Sequence, residues 1–313
     1  MPSTLLFPRE DRTPVDHGEV MRALLEKAAR SSPTLLTRLA DLAETKLKRR
    51  FLEAIDGLAD YTQSDMLRAL ANRNIAAATA LLNQTRFGGL FQAFTRELAA
   101  LALRAVNATV GTLANAPKEG ARKPIVFDPR SVNPRVVQWV ANHSGELIVE
   151  ITQGTRQAIR QVLTTGIQAG NNPRVIARNL RPLIGLTERQ TLALTRYRER
   201  LEARGEPGID RKVARMATKA LNRRAETIAR DQSMTAANIA QDFVFEAAVQ
   251  EGKLPSTIKE QWLTALGERV CPICRPMHKQ TVPFGGVFTT GDGRRIRRPP
   301  AHVSCRCVKK ILL

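Results

Sequence analysis

Four cysteines and a histidine crowded into 37 residues near the C-terminus constrain this 313-residue chain more than any other feature. They are spelled Cys271-Pro272-Ile273-Cys274 and His302-Val303-Ser304-Cys305-Arg306-Cys307, and no cysteine occurs elsewhere. A C-x-x-C turn points two thiolates at one centre, a second knuckle about thirty residues later closes a tetrahedron, and Zn²⁺ accepts mixed Cys and His ligands. Cys271 and Cys274 are the firmest ligands. Cys305 follows, because both candidate second knuckles contain it, and the fourth ligand is Cys307 or His302. His278, four residues after Cys274, ranks below these. Two other readings exist: two disulfides, which need an oxidising compartment, or four reduced thiols in a small core. A closed four-ligand site is structural rather than catalytic.

The rest of the chain has a helical palette. Apolar residues make up 43%, aromatics only 4%, and Ala, Leu, Ile and Val dominate. Met1 to Arg12 holds no apolar run of signal-peptide length, and no stretch of about eighteen apolar residues occurs, so a soluble, non-exported protein without a membrane-spanning segment is expected. The formal charge is +20, and it climbs along the chain: net +3 over residues 1–120, +8 over 121–252 and +9 over 253–313. Such a balance favours a polyanionic partner, nucleic acid foremost, because each phosphate contact releases counterions. Solubility of an assembly subunit, or contact with an acidic protein surface, would use the same charge.

Read in order, residues 1–18 with Pro2, Pro8 and Pro14 form an extended arm. Residues 19–115 form an N-terminal helical region. Its helices start at Glu19 and near Pro33, the second interrupted or ended by Gly57; a third runs from an N-cap at Ser64 to Thr85, and a fourth from about Leu90 to Leu113. Residues 116–134, rich in proline and carrying a β-like Ile125-Val126-Phe127, read as a linker. Residues 135–252 form a central helical domain: a short helix from Pro134 to His143, a longer one from Ile148 to Gly166, and one from Pro173 to Leu183 capped by Asn172. Then Thr187-Glu188-Arg189-Gln190 is a capping box opening a helix to about Arg204. The longest run, Asp210 to Gln250, ends at Gly252. Residues 253–313 turn β-rich, with Thr257-Ile258, Gln261-Trp262-Leu263, Thr281-Val282-Pro283 and Gly286-Val287-Phe288 as strand-prone runs. A module of about sixty residues has a weak core and gains from a metal clip. Candidate nucleic-acid contacts are Arg294, Arg295, Arg297 and Arg298 on a basic tongue between the knuckles, and Arg215, Lys219, Arg223 and Arg224 on the long helix, beside Arg211, Lys212 and Arg230.

Four blocks resemble the phage head morphogenesis or minor head proteins related to the F protein of phage Mu. They are Ile151-Thr152-Gln153-Gly154-Thr155 with Ile159-Arg160 and Gly166 to Gly170; Gly185 to Gln190 with Tyr197 and Leu201; Ile228 to Ser233 with Ala237-Asn238; and the two Cys/His knuckles, the second preceded by Pro299-Pro300. The last block is the most specific. The sequence departs from the family pattern at Asp231-Gln232-Ser233, where Thr-Glu-Thr is usual, and at Val303-Ser304, where Pro-Asn is common. The similarity spans about residues 145–313. It implies a structural protein of a tailed phage, inside the head near the portal vertex, needed for head assembly or DNA delivery and present in the host cytoplasm during assembly. Portal protein, packaged double-stranded DNA and the major capsid or scaffold protein are the implied partners.

The expected architecture is therefore mainly α, with helical N-terminal and central regions and a small β-rich, Cys/His-stapled C-terminal module holding structural zinc. No catalytic residues are expected. The sequence shows no Gly-rich phosphate loop with a lysine, no G-x-S-x-G and no H-E-x-x-H. Two other classes fit the Cys/His pattern: a nuclease of the His-Asn-His type, in which His302 would activate water, and a zinc-ribbon regulator that reads specific DNA. The second needs a helix or ribbon presented to the major groove. Glu226 and Asp231 read as helix-surface partners of Arg230 and Arg223, His17 and His143 as surface or capping residues, and Trp139 and Trp262 as packing anchors.

Overall fold

The computed structural model describes residues 34–71, 89–114, 125–168, 170, 172, 179–264 and 270–312. The arm, the Glu19 helix, the end of the Ser64–Thr85 segment and most of the helix from Pro173 lie outside them, as do residues 116–124 of the proline-rich linker. Five long helices are described: α1 (Leu35–Ala71), α2 (Gln92–Ala114), α3 (Asn133–Gln168), α4 (Glu188–Ala203) and α5 (Ile209–Gln250). They precede five short strands, β1 (Lys259–Leu263), β2 (Thr281–Pro283), β3 (Phe288–Thr289), β4 (Arg295–Ile296) and β5 (Val308–Leu312). The mainly α architecture with a small strand-containing C-terminal region is as the sequence implied.

The spine is α5. Its 42 residues would extend about 63 Å at 1.5 Å per residue. From Ala225 onward it is lined with small residues, Ala225, Ala229, Ala236, Ala237, Ala240 and Ala248, all 1% exposed or less. A surface of alanines lets neighbouring helices approach closely, and α1 and α2 pack there. Leu47, Phe51 and Ile55 of α1 and Phe94 and Leu98 of α2 fill the space between. Phe51 meets the edges of Phe91 and Phe94 with ring centroids 6.0 and 6.4 Å away. The same core continues through Val136, Val140 and Ile151 of α3 to Leu254, Ile258 and Val308.

Glycines that looked like breaks are built into helices. Gly57 lies inside α1, which also runs through Ser64, so neither a break nor an N-cap forms there. The absent side chain admits Leu90, whose Cδ2 lies 3.2 Å from where a Cβ would stand. A helical glycine costs about 1 kcal/mol relative to alanine, and such packing offsets it. Likewise α3 is one helix through Gly145 rather than two, and His143 sits within it, stacked on Trp139 at 4.6 Å. Ile125-Val126-Phe127 is irregular, not a strand; Phe127 is nevertheless buried, with the Lys253 ammonium 5.3 Å from its ring centre. Thr257-Ile258 precedes β1 without joining it.

Gly185 does require glycine. Its φ is +81°, and a Cβ would come 2.8 Å from Ile55 Cγ2. Its N–H donates to Thr155 Oγ1 of α3 at 3.3 Å and its carbonyl accepts from Arg224 of α5, so one residue joins three helices. Two residues later Thr187 caps α4 as the sequence predicts: Gln190 N–H donates to Thr187 Oγ1 (3.3 Å) and Thr187 N–H to Gln190 Oε1 (3.0 Å). α4 and the N-terminal half of α5 then form a hairpin with its own small core of Leu186, Leu194, Leu201, Val213 and Ala217.

Beyond Gly252 (φ +67°) the chain forms an antiparallel sheet in the order β2-β1-β5, with Trp262 opposite Lys309 and Glu260 opposite Val282. β3 and β4 make a separate hairpin, Phe288 opposite Ile296. Trp262, Met277 and Phe288, none measurably exposed, form a second core together with Cys274, Cys305 and Cys307.

Candidate metal centre

Two turns, each closed by a hydrogen bond from its fourth residue's N–H to its first residue's carbonyl, present the donors. In the first, Cys274 N–H donates to Cys271 O at 3.1 Å; in the second, Cys305 N–H donates to His302 O at 3.0 Å. Ser304 takes a φ of +63° to complete the second turn. The first knuckle continues into a 3₁₀ turn, Arg275–Met277, and Gly291 packs directly on it. A Cβ there would collide with Pro272 O, while the Gly291 N–H donates to Ile273 O at 2.8 Å.

The turns face one another. His302 Nε2 lies 3.0 Å from Cys271 Sγ and 3.2 Å from Cys274 Sγ, and Cys274 Sγ lies 3.8 Å from Cys305 Sγ. Tetrahedral zinc with Zn–S bonds of about 2.3 Å gives S···S edges of about 3.8 Å, whereas a disulfide is about 2.05 Å long. Cys271, Cys274 and His302 form one group of donors within 4.8 Å of one another; Cys274, Cys305 and Cys307 form another. All five predicted donors are thus brought together, with Cys274 common to both groups. His278 is not in either: its Nδ1 faces the Thr264 hydroxyl (3.0 Å) and amide (3.3 Å) at the end of β1.

The electrostatics suit a cation. Cys305 is held far below the usual thiol range, first by hydrogen bonding from Cys274 and then from Cys307. Cys274 is pushed up because it shares its proton with Cys305 and Cys307 and is partly buried. Burial opposes ionisation of Cys271, yet the Cys274 amide and the His302 imidazole hold it below its ordinary value. Without a metal these thiols cannot all ionise together; a divalent cation supplies the missing positive charge. The donor set therefore fits zinc held by Cys271, Cys274, Cys305 and either His302 or Cys307, and such an ion would act as a clip for the module.

The ground under this centre was not legible in the sequence. A polar stripe on α5, Asp231, Asn238, Asp242 and Glu246, recurs at helical spacing beneath it. Asn238 Nδ2 approaches Cys307 O at 3.4 Å. Asp242 is 3% exposed and pairs with Lys309 Nζ at 2.8 Å and Arg298 Nε at 3.0 Å. Lys309 Nζ also donates to Glu260 Oε1 at 2.8 Å, and both are buried. Glu246 accepts from Arg297 (2.9 Å) and Arg135 (3.1 Å). Arg306, between Cys305 and Cys307, reaches Asp41 at 3.2 Å and Glu44 at 3.6 Å on α1, and Glu44 also pairs with Arg230 at 2.8 Å. Asp231 is partly buried, and burial raises its pKa, so it is no surface partner for Arg223; Glu226 does pair with Arg230, at 3.6 Å.

These contacts change the reading of the basic residues. Arg297 and Arg298 of the tongue are matched by α5 carboxylates, and Arg294 by Asp292 at 2.9 Å; only Arg295 is exposed without a partner among the described residues. Arg224 turns inward to Gly185, where burial lowers its pKa. By contrast Arg211, Arg215, Lys219 and Arg223 are all exposed, with no acidic partner among the described residues. Spaced four apart, they form a ladder along one face of α5.

Residues 157–310 match the family model described as Phage Mu protein F like protein. No curated protein and no solved structure matches the chain.

Proposed function

From the match of residues 157–310 to the model described as Phage Mu protein F like protein, we propose that the protein is a non-enzymatic minor head protein of a tailed phage. It sits inside the head near the portal vertex, its helical body against portal protein and major capsid or scaffold protein, its basic hairpin against packaged DNA. Residues 253–313 act as a zinc-clipped module docked on that body, with residues 135–252 as the central helical domain.

The observation that carries the DNA contact is the ladder Arg211, Arg215, Lys219 and Arg223. At 1.5 Å per residue its steps are about 6 Å and its length about 18 Å, a scale suited to following phosphates along a backbone. Four exposed cations in line supply charge without base readout, so binding is salt-steep and indifferent to sequence. Two of these residues, Arg215 and Lys219, lie on the part of α5 packed with α4, clear of the metal centre. The basic tongue contributes less, since Arg297 and Arg298 are matched by α5 and Arg294 by Asp292, which leaves Arg295 alone among the described residues.

Mass spectrometry of purified proheads and virions tests the assignment: peptides of this chain are expected in both, and their absence from both would overturn it. Binding of the purified protein to unrelated duplexes tests the contact. Equal affinities that fall together with salt are expected, and loss of binding is expected when Arg211, Arg215, Lys219 and Arg223 are changed together to glutamate. Unchanged binding by that variant would remove the ladder from the interface.

A further inference from the structure

The five donors of the metal centre exceed the four places of a tetrahedral ion, and the geometry points to which one is surplus: we infer that His302, with Cys271, Cys274 and Cys305, completes the metal tetrahedron, and that Cys307 stands outside it. This rests on the reading of the cluster as a metal site and deepens it.

Three observations carry the choice. The first is the shared closure of the two turns, which differ in that Ser304, unlike Ile273, has a positive φ. Cys271 to Cys274 and His302 to Cys305 close through the same carbonyl-to-amide hydrogen bond over the same spacing, 3.1 and 3.0 Å long. Paired turns of this kind deliver their first and last side chains to a common centre. Cys307 belongs to neither, lying just before β5. The second is the orientation of the imidazole. His302 Nδ1 is 2.8 Å from the Val303 carbonyl, which can only accept, so Nδ1 carries the proton. In the neutral ring Nε2 then presents its lone pair, which is how a backbone carbonyl fixes a ligating histidine. That nitrogen is aimed at the space between Cys271 and Cys274, 3.0 and 3.2 Å from their sulfurs. With Cys307 as the fourth ligand, this lone pair would press on two metal-bound thiolates with nothing between them.

The third observation is what holds Cys307. It is 3% exposed, in the same core that holds Cys274 and Cys305, so burial alone does not set it apart. Its carbonyl meets Asn238 of α5. An extended C-x-C segment puts both sulfurs on one side of the chain, so Cys307 lies near Cys274 and Cys305 whether or not it ligates. A buried, unmetallated cysteine behaves as a small apolar side chain.

X-ray absorption of the zinc form of the full chain tests this by counting scatterers around the metal, and the Co²⁺ form gives an independent optical signature of its ligands. Three sulfurs and one nitrogen are expected. Cys307→Ala is expected to hold one metal per chain with an unchanged spectrum. His302→Ala is expected to weaken metal binding by more than about tenfold, since even outer-shell partners cost about 10- to 100-fold. Four sulfurs in the wild-type site would overturn the inference and make His302 a hydrogen-bond donor to thiolates, as would loss of metal from Cys307→Ala. Metal content insensitive to Cys271→Ser would instead overturn the metal reading itself, and the two failures are thereby distinguished.

Discussion

The helical body and the C-terminal module are built on opposite principles although they share α5. In the body, phenylalanines and leucines of α1 and α2 press on a strip of alanines. In the module, the core is little more than Trp262, Met277, Phe288 and three thiols, and donors and ion pairs complete what apolar area cannot. The contrast teaches where each is vulnerable. The body should yield to lost volume and the module to lost charge or metal.

Four perturbations break or sharpen that contrast. The largest effect is expected from removing metal: structural zinc supplies on the order of 10 kcal/mol in isolated zinc-binding peptides. Chelation, or Cys274→Ser, should therefore unfold the module while the circular-dichroism signal of the helices persists. Next, Phe51→Ala should destabilise the body by about 3–5 kcal/mol, seen as a lower denaturation midpoint, with metal content retained by the folded fraction. Asp242→Ala leaves Lys309 buried with one carboxylate fewer and Arg298 unmatched. Removing one partner of a buried pair costs about 3–5 kcal/mol, and here the loss should appear as undocking, with protease cleavage near Gly252 rising before the body melts.

The smallest effect tests the hairpin. Glu206 is held below its usual pKa, first by hydrogen bonding from Lys212 and then by its charge. A carboxylate lowered by folding stabilises the fold above its unfolded pKa, and that contribution is lost as pH falls through the folded value. The melting difference between wild type and Glu206→Gln should be present at neutral pH and vanish in acid. Since both side chains of the pair keep 37% of their surface in solvent, screening keeps the difference small throughout.

Local chemistry was legible where partners are near in sequence. The Thr187–Gln190 capping box, the extent of α5 and the two knuckles all follow from residues within a few positions of one another. Gly57 misled because it is answered by Leu90 from another part of the chain, and packing across a fold leaves no mark in the local pattern. The burial of Lys309 likewise leaves no mark in the sequence around it. A lysine in Val308-Lys309-Lys310-Ile311 reads as a solvated strand residue, and only the fold brings Asp242 and Glu260 to it. The tongue arginines were read as free charge because Asp242 and Glu246 lie on a helix some fifty residues earlier. Arg211 to Arg223, by contrast, kept the exposed face that their spacing suggested.

The central claim is that a metal holds the module while apolar packing holds the body. Amide hydrogen exchange of the metal-loaded and chelated full chain tests it most directly. The account predicts that chelation releases protection across Lys259–Leu263 and Val308–Leu312 while Leu35–Ala59 and Gln92–Ala114 stay protected. Unchanged exchange in β1 and β5, or loss of protection spread evenly through α1 and α2, would contradict it.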